Sequence, residues 1–246
     1  MNQEEQWLLT EKYKGIESDA FHAELERLAE GEPLAYLIGS IPFLNCTIHL
    51  DSHPLIPRPE TEFWVEKAIV EIERVAPVAP HVLDLCAGSG AIGVAIAKAI
   101  PNALVDFAEI DQCHLPTIKK NLKFNEIDSA HCRILQSNLF EKINHTYDFI
   151  LTNPPYIDPA VDRAETSVKD HEPHLALYGG KNGLELIADI IADARKYLSK
   201  KGQLWIEHEP EQVAAVHTLG KQYGFISTTH NDQYNTPRYS TLTVAQ

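Results

Sequence analysis

Apolar and polar positions fall into two regimes along this 246-residue chain. Over the first 32 residues the apolar spacing is helical. Ser18 and Asp19 supply N-caps, and Phe21, Leu25, Leu28 and Ala29 share one face ahead of Gly31. Between residues 36 and 56 the pattern shortens to an alternation rich in β-formers, Tyr36-Leu37-Ile38 and then Thr47-Ile48-His49-Leu50, separated by Pro42 and Asn45. That predicts a β-hairpin joining the helical piece to the rest. A helix over 61–75 follows, with Val65, Ala68, Ile69 and Ile72 as its core face. From His81 onward, strands at 82–86, 104–108, 132–135, 149–151 and 203–207 alternate with helices at 91–100, 116–124, 184–198 and 211–223. Two β-like runs, 225–229 and 239–244, close the chain. This alternation predicts an α/β fold: a doubly wound, mostly parallel sheet with helices on both faces. The expected organisation is a helical segment over 1–35, a hairpin linker over 36–58 and a main domain over 59–246.

In such a sheet ligands bind beyond the carboxyl ends of the strands. The first core strand runs into Asp84-Leu85-Cys86-Ala87-Gly88-Ser89-Gly90. Glycines there admit a ligand close to the backbone, and the helix that follows adds free N–H donors. Gly88, Gly90 and Gly93 satisfy G-x-G-x-x-G, so a nicotinamide or flavin site has to be weighed. Asp84 tips the balance, because a carboxylate at the loop suits a cationic ligand better than a pyrophosphate. S-adenosylmethionine (SAM) carries an ammonium and a sulfonium and no phosphate. The plainer reading of Asp84 is helix N-terminal electrostatics.

The second core strand should end in an acid for ribose hydroxyls. Glu109 directly ends Leu104-Val105-Asp106-Phe107-Ala108, whereas Asp111 lies beyond Ile110 and suits a helix cap, so Glu109 is preferred. After the third strand, Ser137-Asn138-Leu139-Phe140 is placed to flank an adenine, Asn138 bonding its edge and Leu139 covering a face. A polar loop with core anchors explains the same residues.

The fourth strand, Phe149-Ile150-Leu151-Thr152, stops at Asn153-Pro154-Pro155-Tyr156. Two prolines supply no N–H and fix φ, which holds the neighbouring carbonyls as rigid acceptors. Rigid acceptors beside an aromatic ring suit a planar –NH2 group, an amide or a base amine. The competing reading is an Asn-Pro turn leaving a strand. Residues 157–181 are long for a connection in a compact sheet, and Pro173 with its neighbours is expected to cover the site.

Charge narrows the partners. The net charge of −14 predicts a surface that repels a polyanion, so nucleic acid is not the expected partner. Cys46, Cys86, Cys113 and Cys132 show no CxxC spacing, so neither a metal site nor a disulfide framework is expected. The N-terminal stretch, with Glu4, Glu5 and Glu11, lacks the basic and apolar regions of a leader, and no apolar run reaches membrane-span length. A cytoplasmic monomer is the expectation.

Taken together, Leu55-Ile56-Pro57-Arg58-Pro59-Glu60-Thr61-Glu62, the loop 84–90, Asn153-Pro154-Pro155-Tyr156 and Glu172-Pro173-His174-Leu175-Ala176-Leu177 resemble the peptide chain release factor glutamine N5-methyltransferase family in order and spacing. The match runs from about Gly31 and includes Gly179-Gly180-x-x-Gly183-Leu184 and Glu207-His208. The Asn-Pro-Pro-Tyr motif by itself is shared with DNA adenine and ribosomal RNA guanine methyltransferases; the Arg58–Glu62 segment narrows the resemblance. The resemblance implies a class I SAM-dependent methyltransferase fold and a release factor as protein substrate, methylated on its Gly-Gly-Gln loop. It further implies that residues 86–90 hold the methionine part of SAM, Glu109 its ribose, Asn138 and Leu139 its adenine, and Asn153, Pro154, Pro155 and Tyr156 the acceptor amide. Cys86 stands where Gly is usual, Asn138 where Asp is usual and Leu139 where an aromatic occurs. The helical region is shorter than the family's, which bears on docking of the release factor. A ribosomal-protein glutamine methyltransferase and a non-catalytic subunit keeping the fold are the competing functions. His171, His174 and His208 are read as polar loop or supporting residues rather than bases, and Arg58 and Glu60 either as a charged helix lead-in or as part of the substrate cleft.

Overall fold

Both phases of the two-residue period in the central strands are apolar, and both are covered. Val82, Val105, Phe107, Phe149 and Leu151 pack into one buried layer, while Leu83, Leu85, Ala108 and Ile150 pack into another. Neighbouring side chains of a strand point to opposite faces, so a continuous apolar run needs helices on each. The computed structural model describes residues 1–75, 78–161 and 165–245.

In chain order the elements are α1 (Gln3–Trp7), α2 (Asp19–Ala29), α3 (Leu34–Ile38), β1 (Ser40–Phe43), β2 (Cys46–His49), α4 (Pro59–Val75), β3 (His81–Leu85), α5 (Ala91–Ala99), β4 (Leu104–Glu109), α6 (Leu115–Phe124), β5 (Cys132–Gln136), β6 (Tyr147–Thr152), α7 (Thr166–His171), α8 (His174–Leu177), α9 (Glu185–Tyr197), β7 (Leu198–Glu207), α10 (Val213–Gln222), β8 (Phe225–Asn231) and β9 (Pro237–Val244). The described residues form a seven-stranded sheet of order β5-β4-β3-β6-β7-β9-β8. It is parallel from β5 to β7, and β9 runs antiparallel to both of its neighbours. The chain builds outward from β3 to β5 and returns to β6 on the other side of β3. The loops after β3 and β6 therefore diverge and leave a crevice between them.

The predicted order of elements holds from residue 59 onward except that the connection expected as a loop carries α7 and α8; the hairpin does not stand where expected. Tyr36-Leu37-Ile38 lies in the helical turn α3, and the hairpin is β1 with β2, turned at Leu44-Asn45. Pro33 starts the turn and Gly39, at φ 87°, ends it. An apolar run of three residues carries no period that separates strand from helix. Leu37 packs with Leu8 and Phe21 in a small helical cluster, whereas Ala29, expected on that face, is exposed. The edge of β2 is capped from α6: Asn121 and Asn125 each accept a backbone N–H (from His49 at 2.7 Å, from Thr47 at 3.0 Å) and return a hydrogen bond to the same residue's carbonyl. Helix α4 buries Thr61 and Trp64 along with Val65, Ala68 and Ile72. Among the described residues no helix is long and apolar enough to cross a membrane.

Candidate active site

Leu85 at the end of β3 and Thr152 at the end of β6 are register partners, so Cys86 and Asn153 begin two loops side by side. The first loop turns on left-handed residues: Cys86 at φ 61°, Gly88 at 54° and Gly90 at 78°. This conformation costs a side-chain-bearing residue about 1–2 kcal/mol, which explains why glycine suits position 86. The third glycine of the fingerprint serves packing, since a Cβ on Gly93 would lie 2.3 Å from the Phe107 ring. Ser89 is buried under the loop, its carbonyl accepting from Asn121 Nδ2 at 2.9 Å. Ala87 is tied to β4 through its N–H and the Ala108 carbonyl at 3.1 Å.

Glu109 ends β4, buried, with Oε2 accepting the Gly88 N–H at 2.7 Å and Oε1 the Asp111 N–H at 2.8 Å. Both oxygens are fixed, and each keeps a lone pair free. Asp111 caps Cys113 at 2.8 Å, as expected of a cap. Cys86, Gly88, Glu109, Asn138, Leu139 and Asn153 wall a cavity of about 750 Å³ up to its open mouth, roofed by Pro173, Leu175 and Ala176. Asp84 does not reach that wall. It is fully buried beneath the loop, its Oδ2 accepting the Gly93 N–H at 2.8 Å and its Oδ1 without a partner among the described residues. Burial holds its carboxyl well above the usual range, and the nearby Glu109 charge adds to this against the Gly93 hydrogen bond. Ala87, Ser89 and Gly90 likewise shape the loop without lining the cavity. Burial also pushes the Cys86 thiol up to about 12.

Around Asn153 the structure assembles residues from three distant parts of the chain. Asn153 Nδ2 donates to Thr61 Oγ1 at 3.1 Å, and Thr61 donates to Glu207 Oε2 at 2.7 Å. Trp64 Nε1 donates to the same oxygen at 2.7 Å, and the Tyr156 hydroxyl to Glu207 Oε1 at 2.9 Å. Among the described residues nothing donates to Asn153 Oδ1. Asn153 lines the cavity just described and also a second cleft, with Pro154, Tyr156, Arg58, Glu165 and Glu209. The backbone of Pro155 and Tyr156 is gripped from behind. A Cβ on Gly179 would lie 2.4 Å from the Pro155 carbonyl oxygen, and one on Gly183 1.8 Å from that of Tyr156. Gln212 Nε2 donates to the Tyr156 carbonyl at 2.9 Å.

The connection after β6 is held over the site rather than loose; its residues 162–164 lie outside the described residues. It carries α7 and α8 and pairs Ile157 with Tyr178. Glu172, buried, accepts the Ile56 N–H at 3.0 Å and Arg58 Nη2 at 2.5 Å, so Arg58 clamps this connection to the lead-in of α4. Among the described residues Glu60 has no such contact. His174 bonds the Lys169 carbonyl, and His208 is buried against Ser240; neither they nor His171 line the cavity. Sequence reasoning missed the joint roles of Thr61, Trp64 and Glu207. A signal existed for Glu207, which ends the apolar run Leu204-Trp205-Ile206 as Glu109 ends its own.

A parallel sheet with an antiparallel strand set in near its edge, a glycine loop after the first core strand and an acid after the second define a class I SAM-dependent methyltransferase. The methyltransferase small domain family matches residues 69–171. A release factor glutamine methyltransferase of Rhodopirellula baltica is 38% identical over 216 residues, covering 86% of this chain and 73% of the relative. One of Aliivibrio fischeri is 34% identical, covering 87% and 74%. A methyltransferase of Pyrococcus furiosus superposes with a TM-score of 0.61 at 16% identity over 91% of this chain and 99% of that one, a likeness of fold. The chain belongs to the release factor glutamine methyltransferase family.

Proposed function

We propose that this enzyme methylates the side-chain nitrogen of a protein glutamine, in the Gly-Gly-Gln loop of a peptide chain release factor. The observation that carries this reading is the position of Asn153, where the two clefts meet, with its Nδ2 engaged and its Oδ1 open. The first cleft fits SAM. Glu109 is anchored by two N–H groups and keeps acceptor capacity for ribose hydroxyls, while Asn138 and Leu139 offer an edge and a face for adenine. Residues 86–90 provide the backbone cradle. SAM supplies an electrophilic methyl group. Beside it the Cys86 thiol stays protonated and so does not compete as a nucleophile.

An amide nitrogen is a weak nucleophile because its lone pair is delocalised into the carbonyl. Asn153 Oδ1 would accept one N–H of the acceptor amide and the Pro154 carbonyl the other. Both bonds would strengthen as the nitrogen takes the methyl group; S-adenosylhomocysteine leaves, and one of the two N–H protons is then given up to solvent through the open mouth of the clefts. Tyr156 packs on the amide plane, beneath the connection over the site. Positioning and fixed dipoles carry the catalysis. The test is a competition. Radiolabelled SAM should mark a release factor in a mixture with DNA, ribosomal RNA and ribosomal proteins, and mass spectrometry should find one added methyl on the loop glutamine. Label on nucleic acid, or on a ribosomal protein in preference, overturns this reading.

A further inference from the structure

Glu207 is a buried carboxylate that, among the described residues, makes no ion pair. Its partners are three neutral donors: the Thr61 hydroxyl and the Trp64 indole on Oε2, and the Tyr156 hydroxyl on Oε1. An ionised carboxylate only accepts hydrogen bonds, and a hydroxyl has one hydrogen to give. Thr61 therefore commits its hydrogen to Glu207 and meets Asn153 as an acceptor. The end of the Asn153 amide turned to Thr61 must then be Nδ2, which leaves Oδ1 facing the clefts.

We propose that Glu207 is a positioning residue, acting through Thr61 to fix which end of the Asn153 amide meets the acceptor and through the Tyr156 hydroxyl to fix the ring beside it. This rests on reading Asn153 as the residue that binds the acceptor amide. The consequence of losing the relay is specific. An Asn153 turned over would present N–H donors to a glutamine –NH2 that needs acceptors, and the docked amide would be misoriented for attack. Trp64, held in the core of α4, keeps the carboxylate from rotating away. Burial raises the carboxyl's proton affinity, against the three hydrogen bonds, so this arrangement is kept despite a cost to the fold.

Three variants test it: Thr61→Val, which keeps shape and loses the hydroxyl, Thr61→Ser, which restores it, and Glu207→Gln. With a purified bacterial release factor as acceptor, Thr61→Val should lower kcat on the order of a hundredfold, as small misplacements of a reacting group do. Binding of S-adenosylhomocysteine and KM for the release factor should stay near wild type, and Thr61→Ser should recover most of the rate. In an Asn153→Ala background Thr61→Val should add almost nothing, because the two act as one unit. A Thr61→Val enzyme within about threefold of wild type, or a Thr61→Ser enzyme as slow as Thr61→Val, overturns the proposal. If the wild-type enzyme leaves the release factor unmethylated, the functional reading fails instead. The relay is then read from the Asn153 side-chain NH2 signal in protein labelled with 15N-asparagine. That signal should move in Thr61→Val and Glu207→Gln and stay in Thr61→Ser; a signal indifferent to both losses sinks it.

Discussion

The Thr152 hydroxyl donates to the Leu85 carbonyl across 2.7 Å, and both residues are fully buried. This bond crosses the place where the sheet's two halves part company. It ties the last residue of β6 to the last residue of β3, so the loop that begins at Cys86 and the motif that begins at Asn153 share one anchor. A methyl donor and an acceptor amide held on these two loops are thereby held relative to each other, the condition for a single-step displacement.

Asn153→Ala should leave S-adenosylhomocysteine binding nearly intact and lower single-turnover methyl transfer by a hundredfold or more, about 3 kcal/mol of lost stabilisation. Calorimetry and a rapid-quench assay give the two numbers. A rate within about fivefold of wild type would assign the orienting role to another group.

Glu109→Ala should weaken S-adenosylhomocysteine at least about tenfold, since hydrogen bonds to a charged group contribute roughly 1.5–3 kcal/mol. Asp111→Ala should cost far less, because the Asp111 carboxylate is engaged in capping Cys113. Equal losses in calorimetry would remove the distinction between the two acids.

Gly183→Ala places a methyl 1.8 Å from the Tyr156 carbonyl oxygen on a residue at φ 66°. Strain and overpacking together should destabilise by roughly 2–4 kcal/mol. Gly39→Ala is the control: φ is 87° and the space around it is open, so only the backbone cost of about 1–2 kcal/mol applies. Thermal unfolding of the pair should separate them clearly, with Gly183→Ala also losing activity in what remains folded.

Asp84→Asn should stabilise the fold by an amount that grows with pH. A carboxyl raised by burial binds its proton more tightly in the folded chain than in the unfolded one. Its contribution is therefore fully present in acid, below the unfolded value, and is lost as pH rises through the folded value. The amide removes that loss. Urea midpoints of both proteins across a pH series test this, and a difference that does not vary with pH would mean the carboxyl is ionised in the fold.

The sheet was legible because its central strands are short, apolar in both phases and punctuated by glycine and proline; Leu104–Glu109 extends its predicted run by one residue and Tyr147–Thr152 by three. Cys86, Gly88, Glu109, Asn138, Leu139 and Asn153 were each legible from a position at a strand end, and they do share one cavity. Asp84 was misplaced because a strand alternates: one residue before Leu85 its side chain turns into the layer beneath α5, not toward the ligand. What no local pattern carries is a partnership across 92 residues, the separation of Thr61 and Asn153, or across 146, that of Thr61 and Glu207. Tyr36-Leu37-Ile38 failed for the opposite reason, being too short for its period to show and decided by Pro33 and Gly39 at its ends.

Strand β9 lies between β7 and β8, although it follows both in the chain. Glu207 pairs there with Tyr239, and the His208 N–H reaches the Arg238 carbonyl at 2.9 Å. During synthesis the outer edge of β7 must therefore wait, unpaired, until residues 237–244 have emerged. The cofactor half, from β3 to β6, can assemble before that, whereas the carboxylate behind Tyr156 is seated only once the last strand pairs with β7. A nascent chain would thus acquire its cradle first and its acceptor site last, and a ribosome-bound intermediate would expose an open strand edge in the interval.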